Sequence, residues 1–296
     1  MTWLQLRMDT QPDLVNALED LMLATGAVAV TMEDNADQPV LEPGVGETPL
    51  WGQTRLTGLY PADTEMTNVL AAFPEEALRQ ANHRTEILED KDWEREWMQH
   101  YHPMPFGRRL WVCPSWLEPP EPNAVNLLLD PGLAFGTGTH PTTALCLAEL
   151  DGMALEEASV VDYGCGSGIL AVAAVKLGAG SALGVDNDPQ ALVATRDNAI
   201  RNSIPTDALE TALPGDFDKA AWRGRADVVI ANILAGPLVE LSGTLLDFLK
   251  PGGTLLLSGL LQNQASALCS SYRDHIELRV ASERDGWVCL RGNRPN

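Results

Sequence analysis

A chain of 296 residues with 45% hydrophobic content can fill one large or two ordinary cores, which argues against a disordered protein. Its formal charge of −21, from 20 Lys+Arg against 41 Asp+Glu, opposes non-specific attachment to phosphate backbones and draws basic partners inward. Five scattered cysteines without a C-x-x-C pair (Cys113, Cys146, Cys165, Cys269, Cys289) argue against a disulfide framework or a zinc knuckle. Neither a signal-peptide pattern at the N-terminus nor a membrane-length apolar run is visible, so a reducing cytoplasm and no membrane contact are expected.

Residues 1–92 hold 17 Asp+Glu against 5 Lys+Arg, more than half of the whole net charge. The region opens on an alternating strand (Trp3, Leu4, Leu6, Met8), and Leu14, Val15, Leu18, Leu21 and Met22 then fall on one helical stripe. Pro12-Asp13 marks the start of that helix and Gly26 stands where a C-cap belongs. A strand over Ala27–Met32, a polar loop over Asn35–Pro49, a strand over Trp51–Tyr60, a helix near Asp63–Phe73 and a strand near His83–Leu88 complete it. Strand-helix-strand-strand-helix-strand is the order of a ferredoxin-like split unit. No cofactor motif occurs there, so binding is its expected job and a structural appendage is the alternative.

Residues 91–104 read as a linker helix with Trp93, Trp97 and Tyr101 on one stripe. His100 and His102 form an H-x-H without a carboxylate or cysteine beside it, so no metal is expected. From Val125 onward strands and helices alternate. Strands are expected near 159–163, 181–186, 208–213, 226–232, 253–258, 275–281 and 286–292, with helices over 167–178, 188–202, 236–249 and 262–273. That is a doubly wound α/β sheet of seven strands. The last two strands leave no room for a helix between them, so the closing strand should run antiparallel. The expected domains are therefore 1–90, a linker over 91–104, and 105–296.

Open α/β sheets bind ligands beyond the carboxyl ends of their strands. Four loops stand out there. Asp162-Tyr-Gly-Cys-Gly-Ser-Gly168 gives a turn in which Gly164, Gly166 and Gly168 allow close approach of a ligand to the backbone. Its spacing is G-x-G-x-G rather than the dinucleotide G-x-G-x-x-G, and a carboxylate at Asp162 beside the cradle suits a cation better than a pyrophosphate. S-adenosylmethionine, with its sulfonium and amino groups, fits. Cys165 reads as a small filler. Asp186, at the end of the next strand, is placed for ribose hydroxyls, whereas Asp188 before Pro189 is a helix N-cap. Asp216 is a candidate acceptor for the adenine amino group and Phe217 a candidate cover for the ring, although a plain turn explains that loop almost as well. Asn232, in Asn-Ile-Leu-Ala-Gly-Pro, offers an amide that can aim an incoming amine, with helix capping as the alternative. Upstream, the loop at 133–143 carries Phe135, expected to shield the donor, and Thr143, expected to bond the donor's amino-acid part.

The string Leu-Asp-Pro-Gly-Leu-Ala-Phe-Gly-Thr-Gly-Thr-His-Pro-Thr-Thr at 129–143, the turn at 162–168, Asp186–Pro189 and Asn-Ile-Leu-Ala-Gly-Pro-Leu at 232–238 together closely resemble the bacterial methyltransferases of large-subunit ribosomal protein eleven. The resemblance spans essentially the whole chain. It implies a Rossmann-like seven-stranded class I methyltransferase domain behind a small N-terminal domain that recognises the ribosomal protein, with a linker that lets the two reorient. It implies trimethylation of lysine side chains and of an N-terminal α-amine with S-adenosylmethionine as donor. It carries the cofactor roles onto Thr143, Gly164, Asp186 and Asn232. The expected partner is that basic ribosomal protein, free or on the ribosome, with no direct DNA contact. Three other readings stand against it: an RNA or DNA base methyltransferase, disfavoured by the acidity and the absent Asn-Pro-Pro-Tyr; a non-catalytic scaffold, disfavoured by the intact turn; and a nicotinamide dehydrogenase, disfavoured by Asp162 and the glycine spacing. No side chain is compelling as a general base; His140 is a candidate, but a structural role in the loop is the favoured reading of it.

Overall fold

The computed structural model describes residues 2–36, 50–88, 101–130 and 138–296. The chain forms two compact units, Met1–Gln99 and His100–Asn296. The first contains β1 (Trp3–Thr10), α1 (Pro12–Ala24), β2 (Ala29–Asp34), β3 (Thr54–Pro61), α2 (Met66–Ala71), α3 (Glu75–Gln80) and β4 (Arg84–Leu88). The strands lie in the order β2-β3-β1-β4 with every neighbouring pair antiparallel. Alternation along β1 buries Leu6 and Met8 against Val15, Leu18 and Met22 of α1, which is the stripe expected from the sequence. Gly26 takes φ 101° just past the helix, a conformation a β-carbon disfavours. The helix expected over 63–73 ends at Ala71, and a second, unforeseen helix follows Pro74. Proline removes a donor and pushes its predecessor out of the helical region, so one helix cannot run through.

The second unit opens with β5 (Met104–Phe106), β6 (Leu110–Cys113) and β7 (Val125–Leu128), a three-stranded sheet that sequence patterning did not reveal. Most of the linker helix expected over 91–104 lies outside the described residues. Within them it is corrected: Tyr101–Pro103 are not helical, and Met104 already pairs with Val112. Pro103 is the local reason. There follow α4 (Pro141–Asp151), β8 (Ser159–Tyr163), α5 (Ile169–Lys176), β9 (Ser181–Val185), α6 (Pro189–Arg201), β10 (Leu209–Ala212), α7 (Lys219–Trp222), β11 (Ala226–Asn232), α8 (Ala235–Glu240), α9 (Ser242–Phe248), β12 (Leu249–Leu261), α10 (Gln262–Tyr272), β13 (Arg279–Arg284) and β14 (Trp287–Asn293).

Seven strands form one sheet in the order β10-β9-β8-β11-β12-β14-β13. The first five are parallel and β14 is antiparallel to both of its neighbours, as the connection lengths required. Successive residues feed opposite faces. Val160, Ile230 and Leu256 enter the layer containing α4 and α5, whereas Val161, Val229 and Leu255 enter the layer containing α9 and α10. Several boundaries moved. The helix expected over 236–249 breaks at Leu241 (φ −89°, ψ 4°), before a Ser-Gly pair that holds a helix weakly. The strand expected at 253–258 extends over Leu249–Leu261, and the one expected at 275–281 runs instead over Arg279–Arg284. Asp285 (φ 51°) and Gly286 (φ 79°) form a tight turn whose twist suits a hairpin, and this fixes the pairing of Arg284 with Trp287.

Candidate functional site

The strand order reverses between β8 and β11, and there the carboxyl ends of adjacent parallel strands leave a crevice. The turn leaving β8 has Gly164, Gly166 and Gly168 at φ 82°, 53° and 76°. A β-carbon on Gly168 would lie 2.7 Å from Thr195 Oγ1, and one on Gly164 would overlap Ile233. The glycines are thus required twice, by dihedral and by space. The turn is tied to β9 by Gly164 and Cys165 N–H groups donating to Val185 O at 2.7 and 3.1 Å.

Asp186 follows β9 and is bound into this turn. Its Oδ2 accepts from Gly166 N–H at 2.8 Å and its Oδ1 from Asp188 N–H at 3.0 Å. Each oxygen keeps a lone pair free for a ligand hydroxyl. Asp188 caps α6 through Gln190 N–H (2.8 Å) with Pro189 first in the helix, as expected. Across the crevice, Asn232 ends β11, and its Nδ2 donates to Thr143 Oγ1 at 3.2 Å, in the first turn of α4. That bond fixes the amide plane and leaves Oδ1 as an acceptor. Ile233, which packs on Gly164, joins the two halves. The structure therefore brings Gly164, Gly166 and Asp186 together on one side and Thr143 and Asn232 on the other. Asp216 is exposed on the loop after β10, close in sequence to Ala212, whose carbonyl receives Asp186 N–H at 3.3 Å. Phe135 lies outside the described residues.

Two expectations change, those for Asp162 and Phe217, and the structural reading of His140 is met. Asp162 does not face the cradle: it is fully buried, and its Oδ2 accepts from Ala171 N–H at 3.1 Å, at the third residue of α5. Period-two alternation puts it on the same face as Val160, in the helix layer. Phe217 is not available to cover a ring from the crevice, because it is buried with its centroid 5.6 Å from that of Phe248. His140 is a cap: its Nδ1 lies 2.7 Å from Thr142 Oγ1 and its ring meets Trp287 edge-on at 4.9 Å. Burial lowers its pKa, but the nitrogen is committed to the start of α4. Cys165 is the filler expected, a buried thiol whose pKa burial raises, 3.5 Å from Thr195 Oγ1.

Three supporting residues escaped sequence reasoning. Thr195 Oγ1 donates to Gly166 O at 3.0 Å and Asn198 Nδ2 to Ser167 O at 2.8 Å, so two buried polar groups one turn apart on α6 hold the carbonyls of the glycine turn. Polar residues three apart on the apolar face of a helix were the available signal. Gly259, at φ 87° on β12, lies directly against the backbone of Ile233, where a side chain would not fit. Among the described residues no group of three or more His, Cys, Asp or Glu could hold a metal, and no helix is long and apolar enough to cross a membrane.

Against known proteins, the family described as "Ribosomal protein L11 methyltransferase (PrmA)" matches residues 2–295. A ribosomal protein L11 methyltransferase from Teredinibacter turnerae is 52% identical over 99% of this chain and 97% of its own. One from Pectobacterium carotovorum is 53% identical over 99% of both. Among solved structures, a ribosomal protein L11 methylase from Lactobacillus delbrueckii is 31% identical with a TM-score of 0.58, covering 66% of this chain and all of the other.

Proposed function

The chain belongs to the ribosomal protein L11 methyltransferase family, and on that footing we propose that it transfers methyl groups from S-adenosylmethionine to amine nitrogens of ribosomal protein L11. The observation that carries the reading is the crevice itself: a glycine turn braced by Asp186 on one side, an amide held by Thr143 on the other, and Ile233 between them.

The residues present fit the donor. Gly164, Gly166 and Gly168 hold the turn in a conformation that a β-carbon disfavours, and Asp186 offers two acceptors. In this reading Asp186 holds the ribose, Gly164 and Gly166 allow the chain to approach, Thr143 bonds the amino-acid part, Asp216 meets the adenine amino group and Phe135 covers the donor. When bound, S-adenosylmethionine supplies an electrophilic methyl on a cationic sulfur. The chain's own work is orientation, with Asn232 Oδ1 and nearby carbonyls aiming the nitrogen lone pair along the methyl–sulfur bond. An ammonium has no lone pair, and lysine and α-amino groups lose their protons near pH 10.4 and about 7.7–8.0. The segment Asn232–Pro237 carries no carboxylate and exposes Leu234, so it desolvates the amine and lowers that barrier, where a carboxylate would raise it. No side chain acts as a base in this scheme.

We assign trimethylation of lysine side chains and of the N-terminal α-amine to the same site, on free or ribosome-bound substrate. Residues 1–90 form, in this reading, a ferredoxin-like domain that recognises the ribosomal protein, 91–104 join it to the catalytic residues 105–296, and the enzyme works in the cytoplasm. The order β2-β3-β1-β4 and the concentration of acidic residues support the first of these for a basic partner. The test is mass spectrometry of ribosomal protein L11 after incubation with the enzyme and isotope-labelled donor. Label on lysine and N-terminal nitrogens is expected; label on ribosomal RNA with none on the protein would overturn the reading.

A further inference from the structure

A buried polar run on α6 extends beyond the glycine turn. Thr195, Asn198 and Asn202 share the helix face that otherwise buries Ala191, Leu192 and Ala199. Buried amides stand where they have partners, and here the partners belong to two separate elements. Thr195 and Asn198 bond the turn, as described above. Asn202, which ends α6, bonds β7: its Oδ1 accepts from Leu128 N–H at 2.7 Å and its Nδ2 donates to Leu128 O at 2.8 Å. In the order β5-β6-β7 that strand is outermost among the described residues, and the amide pairs with its edge as a further stretch of backbone would. One helix therefore ties the small sheet to the turn. The orientation of Asn198 is set from outside. Arg201 Nη1 donates to Asn198 Oδ1 at 2.5 Å, and Arg201 Nε lies 3.4 Å from Asp130 Oδ2. Asp130 is held in turn by Ser115, whose N–H and Oγ each donate to it at 2.7 Å. A guanidinium has only donors, so it meets the amide's oxygen and leaves Nδ2 for Ser167 O at 2.8 Å.

We propose that Arg201 and Asp130 are positioning residues for the methyl donor: they set the Asn198 amide, and that amide sets the Ser167 peptide of the turn that receives the donor. This rests on the donor occupying the turn. The side chains of Arg201 and Asp130 are 34% and 26% exposed, and ion pairs so open to water contribute little to stability. What the pair fixes is direction. A planar peptide carries its C=O and the next N–H together, so a fixed Ser167 O fixes the peptide leading into Gly168. Without Arg201, Asn198 Oδ1 loses its donor and the amide its fixed plane. Two consequences follow from the connectivity. Asp130 acts on the turn through Arg201, so removing both should do no more than removing one. The chain of bonds ends on the donor half of the crevice, whereas Asn232 is held by Thr143, so donor affinity should fall while transfer from bound donor does not. A merely structural role would lower the melting temperature and leave affinity unchanged.

The experiment is calorimetric titration of the full-length protein with S-adenosylmethionine in Arg201→Met, Asp130→Ala and the double variant, with thermal melts of the same samples and single-turnover transfer to ribosomal protein L11 at saturating donor. Each single variant should raise donor Kd about two- to tenfold, the worth of one net hydrogen bond, and the double variant no further than the larger single effect. The single-turnover rate should stay within about twofold of wild type. Arg201→Lys keeps a charge opposite Asp130 but lacks the fork that reaches both partners, so it should not restore affinity. Ile200→Ala, exposed on the same helix, should leave donor Kd unchanged. If the Arg201 and Asp130 variants bind the donor as wild type does, if their effects add, if Arg201→Lys binds normally, if Ile200→Ala weakens binding as much, or if the single-turnover rate falls as far as affinity, the inference is wrong while the donor site stands. If the wild-type protein does not bind the donor, the donor reading itself fails. Should Asp130→Ala not fold, Arg201→Met and Arg201→Lys decide on affinity and rate.

Discussion

Replacing Asp186 by alanine separates its two jobs. In the folded protein the carboxylate accepts from Gly166 and Asp188 N–H groups, at 2.8 and 3.0 Å. Asp188 is exposed and Gly166 half-exposed, so water can replace the lost acceptor at both. Each bond is then worth about 0.5–1.5 kcal/mol net, and the variant should lose about 1–3 kcal/mol of stability. For a catalytic unit of this size that is a fall in Tm of about 2–12 °C, with folding retained. Donor binding loses more. Two charge-assisted bonds to ribose hydroxyls, at about 1.5–3 kcal/mol each, leave with the side chain, and Gly166 is freed to move. The donor Kd should therefore rise by about two to four orders of magnitude. Calorimetry with S-adenosylmethionine, alongside a thermal melt of the same sample, reads both numbers. A donor Kd within threefold of wild type, in a protein that melts within this range, refutes the ribose assignment. A collapse of the melt without folded protein refutes the claim that these bonds are locally replaceable.

Asn232→Ala is expected to lower single-turnover methyl transfer by at least tenfold while changing donor Kd by less than fivefold, because its amide aims the acceptor; an unchanged single-turnover rate removes that role. Thr143→Val, which keeps shape and drops the hydroxyl bonded to Asn232, should lower the same rate by a smaller factor, and a rate equal to wild type shows that the 3.2 Å bond is not needed to hold the amide. Thr195→Val removes the bond to the part-buried Gly166 O, so we expect a loss of about 0.5–1.5 kcal/mol by chemical denaturation and a measurably weaker donor Kd; affinity unaffected by the change dissociates α6 from the turn. Asp162→Asn should change how stability depends on pH. The carboxyl pKa is about 7 folded against about 3.9 unfolded, so between those values the folded state holds the extra proton and wild-type stability from this group falls as pH rises. The difference in unfolding free energy, variant minus wild type, should grow by about 1.4 kcal/mol per unit between roughly pH 5 and 6.5 and level off above 7, and a difference constant with pH rules out the raised pKa.

Much of the fold was legible because the sheet of the second unit is written in apolar runs and glycine breaks. Val160-Val161, Leu183, Val228-Val229-Ile230 and Leu255-Leu256-Leu257 are strands with both faces covered, which a parallel sheet requires. The antiparallel closing strand followed from the lack of space for a helix. What failed depended on pairing partners. Met104-Pro105-Phe106 has no periodicity of its own, and it becomes a strand because Leu110–Cys113 is there to receive it. Asp285-Gly286 is different: it is a strong hairpin signal, and reading it would have placed the end of β13 correctly.

The site shows the same division more sharply. Asp162 and Asp186 are chemically identical and stand on either side of one glycine turn, so residue type cannot tell them apart. Their positions along the strands do. Asp162 pairs in register with Gly184 and Ile230, inside the sheet, and shares a face with Val160, so both its sides are covered by protein. Asp186 comes one residue after β9 ends at Val185, where no neighbouring strand can bury it. A carboxylate inside a parallel strand has to answer to a helix terminus or stay protonated, whereas one just beyond the strand is free to bind a ligand. Counting residues from the end of each strand's pairing, rather than from the glycines, separates the two. The same count puts Asn232, the final residue of β11 and the partner of Ser258, at the boundary where an amide can lean on Thr143 and still reach a nitrogen in the crevice.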